Sequence, residues 1–302
     1  MPTIAICDRL PDEAVSKLSA KYSVQDLSGR TRDEVLRLLG DTKCVIVRSR
    51  TRVDKEFMDA APMLRLVGRP GSGLDNVDLE SALKRGIRVV NTPTATTTSV
   101  AEYTVGLIIG SLRRICTANQ SMRSGKWIKN QLIGRELKGK RVGVLGCGSI
   151  GLEVSRLLTA FGAEVVCWSR RGPEAVPKDC VYAELEQLLA SCDVVTIHLN
   201  LDKTTAGLIN TQRISLMRTN SVLVNTSRGE IVDEDALYES LKAGRLGFAA
   251  LDVFSKEPYQ GRLTELENVI LTPHVAGNTS EAQLRAALEL VDALSNLLAE
   301  ES

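Results

Sequence analysis

The stretch KRVGVLGCGSIGLEVSRLLTAFG, residues 140–162, decides the fold. VGVL is a short apolar run that reads as a buried strand. The six residues Gly146-Cys147-Gly148-Ser149-Ile150-Gly151 then match G-x-G-x-x-G. LEVSRLLTAFG has helical spacing and stops at Gly162. A bare glycine match is also what a plain turn gives. Strand, turn and helix in this order are what a dinucleotide site requires. The first glycine allows the tight turn, the second lets backbone approach a pyrophosphate, and the third lets helix and strand pack closely. The helix N-terminus, from Ser149 and Ile150, then offers N–H groups and a positive dipole end to the anion.

About 20 residues on, the next strand ends in VVCWSRR, residues 165–171. An acid at that strand end holds the adenosine ribose of NAD, and would repel the 2′-phosphate of NADP. Ser169 stands there instead, followed by Arg170 and Arg171. A small hydroxyl leaves room, and a guanidinium binds phosphate through two parallel hydrogen bonds. The substitution favours NADP(H), with NAD(H) as the alternative; solvated loop arginines are the other reading of the pair.

Working outward, residues 1–91 alternate strands (TIAIC, CVIV at 44–47, LRLVG at 64–68, RVVN at 88–91) with helices (PDEAVSKLSAK, TRDEVLRLLG, DKEFMDAA, DLESALKRG). Several helices start at Asp or Thr, as caps require. Beyond a threonine-rich connector at 92–98, Ser99-x-x-Glu102 has the spacing of a capping box opening a long helix. From KRVGVLG to NVILTP the alternation repeats about five times. TSEAQLRAALELVDALSNLLAE is one long amphipathic helix, expected to return to the first domain. The pattern predicts an α/β protein of two doubly wound parallel-sheet, Rossmann-like domains. Their expected bounds are 1–95 with 279–302, and 96–278.

Composition fits such a chain. In 302 residues, 43% hydrophobic and 25% charged argue against disorder, and 38 basic against 37 acidic residues leave no field that draws nucleic acid or an anionic membrane. No apolar run reaches a membrane span. MPTIAICDRL reads as a first strand, with no secretory leader. The seven cysteines include no Cys-x-x-Cys pair; Cys44, Cys167 and Cys192 read as buried reduced thiols of a cytoplasmic protein, and no metal site is expected.

Three later stretches, NTSRGEIVDEDAL (225–237), LDVFSKEP (251–258) and LTPHVAG (271–277), each place a polar residue just past an apolar strand. Strand carboxyl ends line the ligand crevice of such sheets. Together they offer Arg228, Glu257 and His274 at one edge. With VGRPGSGLDNVDL (67–79), NTPTATTTSVAEYT (91–104) and GCGSIG, these six motifs resemble the D-isomer-specific 2-hydroxyacid dehydrogenases over nearly the whole chain. The resemblance implies two α/β domains, the nucleotide domain inserted into the substrate domain, and a homodimer. It implies hydride exchange between a nicotinamide and C2 of a small 2-oxo or 2-hydroxy acid. Arg228 would bind the substrate carboxylate and polarise the carbonyl. His274 would be acid and base, and Glu257 would orient its ring. A histidine suits proton exchange near neutral pH, and a neighbouring carboxylate favours imidazolium. A fixed guanidinium stabilises charge developing on oxygen.

Gly71, Ser72 and Gly73 resemble the loop that presents N–H groups to the substrate carboxylate. Asp252 resembles the residue that receives the nicotinamide carboxamide; otherwise it is an acid capping the next turn. Thr104 either approaches the cofactor or is one more helix-face threonine. His198, in VVTIHLN, reads as structural or cofactor-flanking.

The N-terminal portion is most similar to the 3-phosphoglycerate dehydrogenase branch. Arg48 and Arg50 fit a substrate phosphate there, or are ordinary arginines after a strand. Thr96, Pro70 and Asn200 depart from that branch's Asn, Ala and Pro, and no C-terminal regulatory domain is expected after the last helix. Ser-Arg-Arg is closer to NADPH-preferring glyoxylate and hydroxypyruvate reductases. A dinucleotide-sensing corepressor is the non-enzymatic alternative.

Overall fold

A computed structural model of the chain describes residues 3–178 and 180–300. It divides into two compact units, Met1–Thr96 with Asn278–Ser302, and Thr97–Gly277.

The first unit alternates as the sequence does: β1 (Thr3–Ile6), α1 (Asp12–Ser19), β2 (Ser23–Asp26), α2 (Arg32–Arg37), β3 (Cys44–Ile46), α3 (Lys55–Ala60), β4 (Leu66–Arg69), α4 (Leu79–Lys84) and β5 (Arg88–Asn91). Thr31, Asp54 and Asp78 cap α2, α3 and α4, each accepting the N–H three residues on. The strands form one parallel sheet, β2-β1-β3-β4-β5. The order reverses between β1 and β3, and that point is where ligands approach such sheets.

The second unit comprises α5 (Thr97–Arg113), α6 (Ile115–Arg123), β6 (Arg141–Leu145), α7 (Ser149–Ala160), β7 (Glu164–Trp168), β8 (Val181–Tyr182), α8 (Leu185–Ser191), β9 (Val194–Ile197), α9 (Thr211–Leu216), β10 (Val222–Asn225), α10 (Glu234–Lys242), β11 (Phe248–Leu251) and β12 (Val269–Leu271). Its parallel sheet runs β12-β11-β10-β9-β6-β7-β8. Strands buried on both faces read as apolar runs, and VLVN and FAAL of β10 and β11 are buried at every position. The switch falls between β6 and β9.

The chain then returns to the first unit as α11 (Ser280–Glu300). Leu290, Val291, Leu294 and Leu298 of α11 close one core cluster with Ile4, Ile6, Ile46 and Leu66. Each buried leucine contributes about 2 kcal/mol by area, and truncation to alanine costs about 2–5 kcal/mol once a cavity is left.

One local expectation fails. The long helix α5 begins at Thr97, so Ser99 is its third residue and not its cap. An N-cap needs extended backbone. The turn at 93–96 runs directly into helical geometry, leaving Ser99 buried in the first helical turn.

No disulfide joins any of the seven cysteines, and Cys44, Cys167 and Cys192 are buried. Among the described residues, no helix is long and apolar enough to cross a membrane, and no group of three or more His, Cys, Asp or Glu is placed to hold a metal.

Candidate active site

Sheet register lays out the site. Trp168, Leu145, Ile197, Asn225, Leu251 and Leu271 are successive Cα partners across six strands of the second unit. The residues that follow them, Ser169, Gly146, His198, Thr226, Asp252 and Thr272, therefore emerge along one edge, at the strand carboxyl ends.

The phosphate loop has the packing its glycines imply. Gly146 has φ 106°, and a Cβ there would lie 2.3 Å from the His198 carbonyl oxygen. At Gly151 a Cβ would lie 1.9 Å from the Gly146 carbonyl oxygen, so α7 approaches β6 only without a side chain. A Cβ on Gly148, by contrast, would meet nothing within 4 Å. Gly148 has extended backbone at the N-cap of α7, and the helix opens at Ser149 and Ile150. Open space before unsatisfied first-turn N–H groups fits a pyrophosphate.

Ser169 is buried, and its Oγ accepts from the Arg171 N–H at 3.3 Å. No carboxylate stands at this strand end. Arg170 turns to Asp202 in the loop after β9: Nη1 donates to Asp202 Oδ2 and, at 2.7 Å, to Thr204 Oγ1. Thr204, through its hydroxyl and its N–H, and then Arg170, hold the Asp202 carboxyl well below the usual carboxylate range.

Glu257 and His274 form a dyad. His274 Nδ1 lies 2.9 Å from Glu257 Oε2, with the two side chains 50% and 39% exposed. The Phe254 N–H donates to the other oxygen, Oε1, at 3.2 Å. His274 has φ 54°, the left-handed region, which costs an L-residue roughly 1–2 kcal/mol. The neighbouring loop holds it there. Its N–H donates to the carbonyl of Asp252 at 2.8 Å. The buried Asp252 carboxylate accepts from Val275 N–H, Ala276 N–H and the Thr272 hydroxyl at 3.0, 2.8 and 2.6 Å. Asp252 is thus an acid capping the turn that carries His274. Oδ1 accepts two of these bonds and Oδ2 one, so Oδ2 keeps acceptor capacity.

Arg228 reaches the same edge from the end of β10. Asn225 Nδ2 donates to its carbonyl at 2.8 Å, and its own Nη1 donates to the Ser227 carbonyl at 2.7 Å. The next residue, Gly229, sits so close to Phe254 that a Cβ would lie 1.9 Å from the Phe254 carbonyl carbon. That approach presses the Arg228 loop against the loop leading to Glu257.

Thr104 lies directly behind the edge residue Thr226. It is fully buried, donates to the Val100 carbonyl at 2.8 Å and shares a hydrogen bond with the Thr226 hydroxyl at 2.9 Å. His198 pairs through Nε2 with the Thr196 hydroxyl at 3.0 Å, and burial pushes its pKa down to about 3. That burial keeps the ring neutral.

In the first unit, Arg48 and Arg50 follow β3 at its switch point. The buried Asp8, after β1, organises both: it accepts from the Arg48 N–H at 2.6 Å, the Thr51 N–H at 3.1 Å, the Thr51 hydroxyl at 2.9 Å and Arg50 Nε at 3.0 Å. Arg50 also donates to the Cys7 and Ser28 carbonyls, so most of its guanidinium serves the fold. The Arg48 guanidinium makes only 3.4 Å contacts, to the Arg9 carbonyl and Gln283. In the glycine loop, the Gly71 N–H is taken by Thr92 Oγ1 at 2.8 Å. The N–H groups of Ser72 and Gly73 have no partner among the described residues, and remain available to an anion.

Asp8, Asp202 and Gly229 were not singled out by sequence. Only Gly229, directly after Arg228, carried a visible signal.

Comparison with known proteins gives the family. The profile of the NAD binding domain of D-isomer specific 2-hydroxyacid dehydrogenases matches residues 105–276. The hydroxypyruvate reductase of Thermotoga maritima is 37% identical over 295 residues, covering 96% of each chain. The D-3-phosphoglycerate dehydrogenase of Archaeoglobus fulgidus is 37% identical over 301 residues, covering 97% of this chain; the chain spans 57% of that relative's length. Among solved structures, an acyclic imino acid reductase in complex with NADPH and D-Arg superposes with a TM-score of 0.89 at 26% identity, covering 99% of this chain and 97% of that one. The chain belongs to the D-isomer-specific 2-hydroxyacid dehydrogenase family.

Proposed function

We propose that the chain transfers hydride between a nicotinamide cofactor and C2 of a small 2-hydroxy or 2-oxo acid. The observation that carries this is the Glu257–His274 dyad, held on the same sheet edge as Arg228 and the phosphate loop. The bound nicotinamide would supply or accept the hydride. His274 would give the proton to the carbonyl oxygen in reduction and take it from the hydroxyl in oxidation, at Nε2, because Nδ1 faces Glu257. Glu257 would fix the ring's orientation. Arg228 would hold the carboxylate and stabilise charge growing on the carbonyl oxygen. Ser72 and Gly73 N–H groups, and Arg48, would bind the substrate's anionic groups from the first unit.

NADP(H) is the favoured cofactor, because Ser169 leaves room where an acid would repel the 2′-phosphate and Arg170 and Arg171 follow. The substrate is first D-3-phosphoglycerate, supported by Arg48 at the switch point of the first sheet. Glyoxylate or hydroxypyruvate is the second reading, supported by the Ser169 strand end and by the tying of Arg50 to Asp8.

We further propose a cytoplasmic homodimer. Ile115, Met122, Trp127 and Ile133 are all more than half exposed within one 19-residue stretch, apolar side chains that a second copy would cover. Light scattering of the purified chain tests this; a monomer at micromolar concentration refutes it.

The decisive experiment follows oxidation of NADPH and NADH with hydroxypyruvate, glyoxylate and 3-phosphohydroxypyruvate. Turnover with at least one acid is expected. Cofactor binding without turnover on any of them would instead make the chain a dinucleotide sensor. Ser169→Asp with Arg170→Pro should shift preference towards NADH; an unchanged preference refutes the NADP(H) assignment.

A further inference from the structure

Asp202 lies 32 residues beyond Arg170 in sequence, in the loop after β9, yet the two side chains meet. The loop that carries Asp202 is locked by its own bonds. Thr205 Oγ1, fully buried, accepts from the Asp202 N–H and donates to the Asn200 carbonyl, both at 2.8 Å. The Asp202 carbonyl accepts from the Thr205 and Ala206 N–H groups at 3.1 and 2.9 Å. Asp202 Oδ1 accepts from the Thr204 N–H at 2.8 Å and from its hydroxyl at 2.6 Å. Oδ2 is left for Arg170, and the Thr204 hydroxyl accepts from the same nitrogen.

Both contacts fall on Nη1. Arg170 Nε and Nη2 have no partner among the described residues. Those two nitrogens form the edge that binds a phosphate by two parallel hydrogen bonds. An exposed arginine otherwise samples many rotamers, and ordering it on binding costs affinity. Pinning one nitrogen removes part of that cost in advance and leaves the bidentate edge vacant. The carboxylate charge opposes an incoming phosphate. Asp202 and Arg170 are both substantially exposed, however, so water screens that repulsion, and it acts from the far side of the guanidinium.

We infer that Asp202 is a positioning residue for cofactor choice: with Thr204 it holds Arg170 by Nη1 so that Nε and Nη2 present to the 2′-phosphate. This rests on the NADP(H) reading above.

The test measures Kd for NADPH and NADH on the full chain by fluorescence titration, alongside steady-state kinetics. Asp202→Ala should weaken NADPH by about tenfold, with the NADH Kd and kcat within about twofold of wild type. Asp202→Asn keeps one acceptor oxygen, for which Nη1 and the Thr204 N–H compete, and should weaken NADPH by less than Asp202→Ala does. In an Arg170→Ala background, Asp202→Ala should add nothing, since the pair acts as one unit. Unchanged or tighter NADPH binding by Asp202→Ala overturns the inference, as do additive effects with Arg170→Ala. If Arg170→Ala itself leaves the NADPH Kd unchanged, the NADP(H) reading fails and positioning fails with it. An effect of Arg170→Ala beside a silent Asp202→Ala defeats positioning alone.

Discussion

Nδ1 of His274 lies 2.9 Å from Oε2 of Glu257, although His274 sits in left-handed backbone on a loop 17 residues further along the chain. The carboxylate settles which ring nitrogen faces the protein. In the proposed reaction Nε2 exchanges the proton.

Replacing His274 with glutamine should therefore lower kcat by about 10²–10⁴-fold while leaving the cofactor Kd within a few fold. Glu257→Gln keeps the size and loses the charge. About 10–100-fold is expected there, the worth of one charge-assisted hydrogen bond. Turnover by His274→Gln at the wild-type rate would remove His274 from the chemistry.

The loop that carries His274 depends on Asp252. Asp252→Ala strips acceptors from two N–H groups and one hydroxyl, at about 1–3 kcal/mol for each one left buried. The expected result is a lower denaturation midpoint together with a loss of kcat comparable to that of His274→Gln. Stability lost with kcat retained would show that His274 keeps its place unaided.

Gly229→Ala places a methyl 1.9 Å from the Phe254 carbonyl carbon, and backbone must move to accept it. A cost of about 3 kcal/mol is expected, or a melting temperature roughly 6–12 °C lower. The loops of Arg228 and Glu257 are forced apart, so kcat should fall too. Calorimetry and kinetics on the same preparation check both effects. A variant melting with wild type would refute the contact.

His198 makes stability depend on acidity. Its folded pKa, about 3, is below the roughly 6.5 of an unfolded histidine. Below pH 6.5 the unfolded chain binds a proton that the folded ring refuses. The contribution is whole above pH 6.5 and is lost as pH falls towards 3. At pH 5 the loss reaches at most about 2 kcal/mol, reduced by whatever water reaches the half-buried ring. Urea midpoints at pH 7.5 and 5.0 should therefore differ more for wild type than for His198→Gln. Equal differences would mean the ring protonates without penalty.

Alternation of apolar runs and capped helices made the two parallel sheets legible, because buried parallel strands must be apolar throughout. Elements without that signal stayed hidden. SVQD, which forms β2, is a half-exposed edge strand with one strongly apolar residue, and β8 is two residues long. Helix α6 follows a left-handed Arg114 that breaks it from α5. The placement of Arg228, Glu257 and His274 past the strand carboxyl ends was legible because each follows an apolar strand. The hydrogen bonds of Asp252 and Thr104 were not, since the partners that satisfy them are set by tertiary packing. Nor was the pairing of Asp202 with Arg170, which exists only once β7 and β9 lie on either side of β6.

The first unit is built from two separated pieces of chain, and that affects how the protein is made. On a ribosome, residues 97–277 emerge as an uninterrupted segment and can fold at once. The first sheet must wait for α11 to cover Ile4, Ile46 and Leu66. At about 5–20 residues per second the wait is roughly 10–35 s. Throughout it an apolar face of nascent chain is open to chaperones, so the nucleotide-binding half is complete before the half that precedes it in translation.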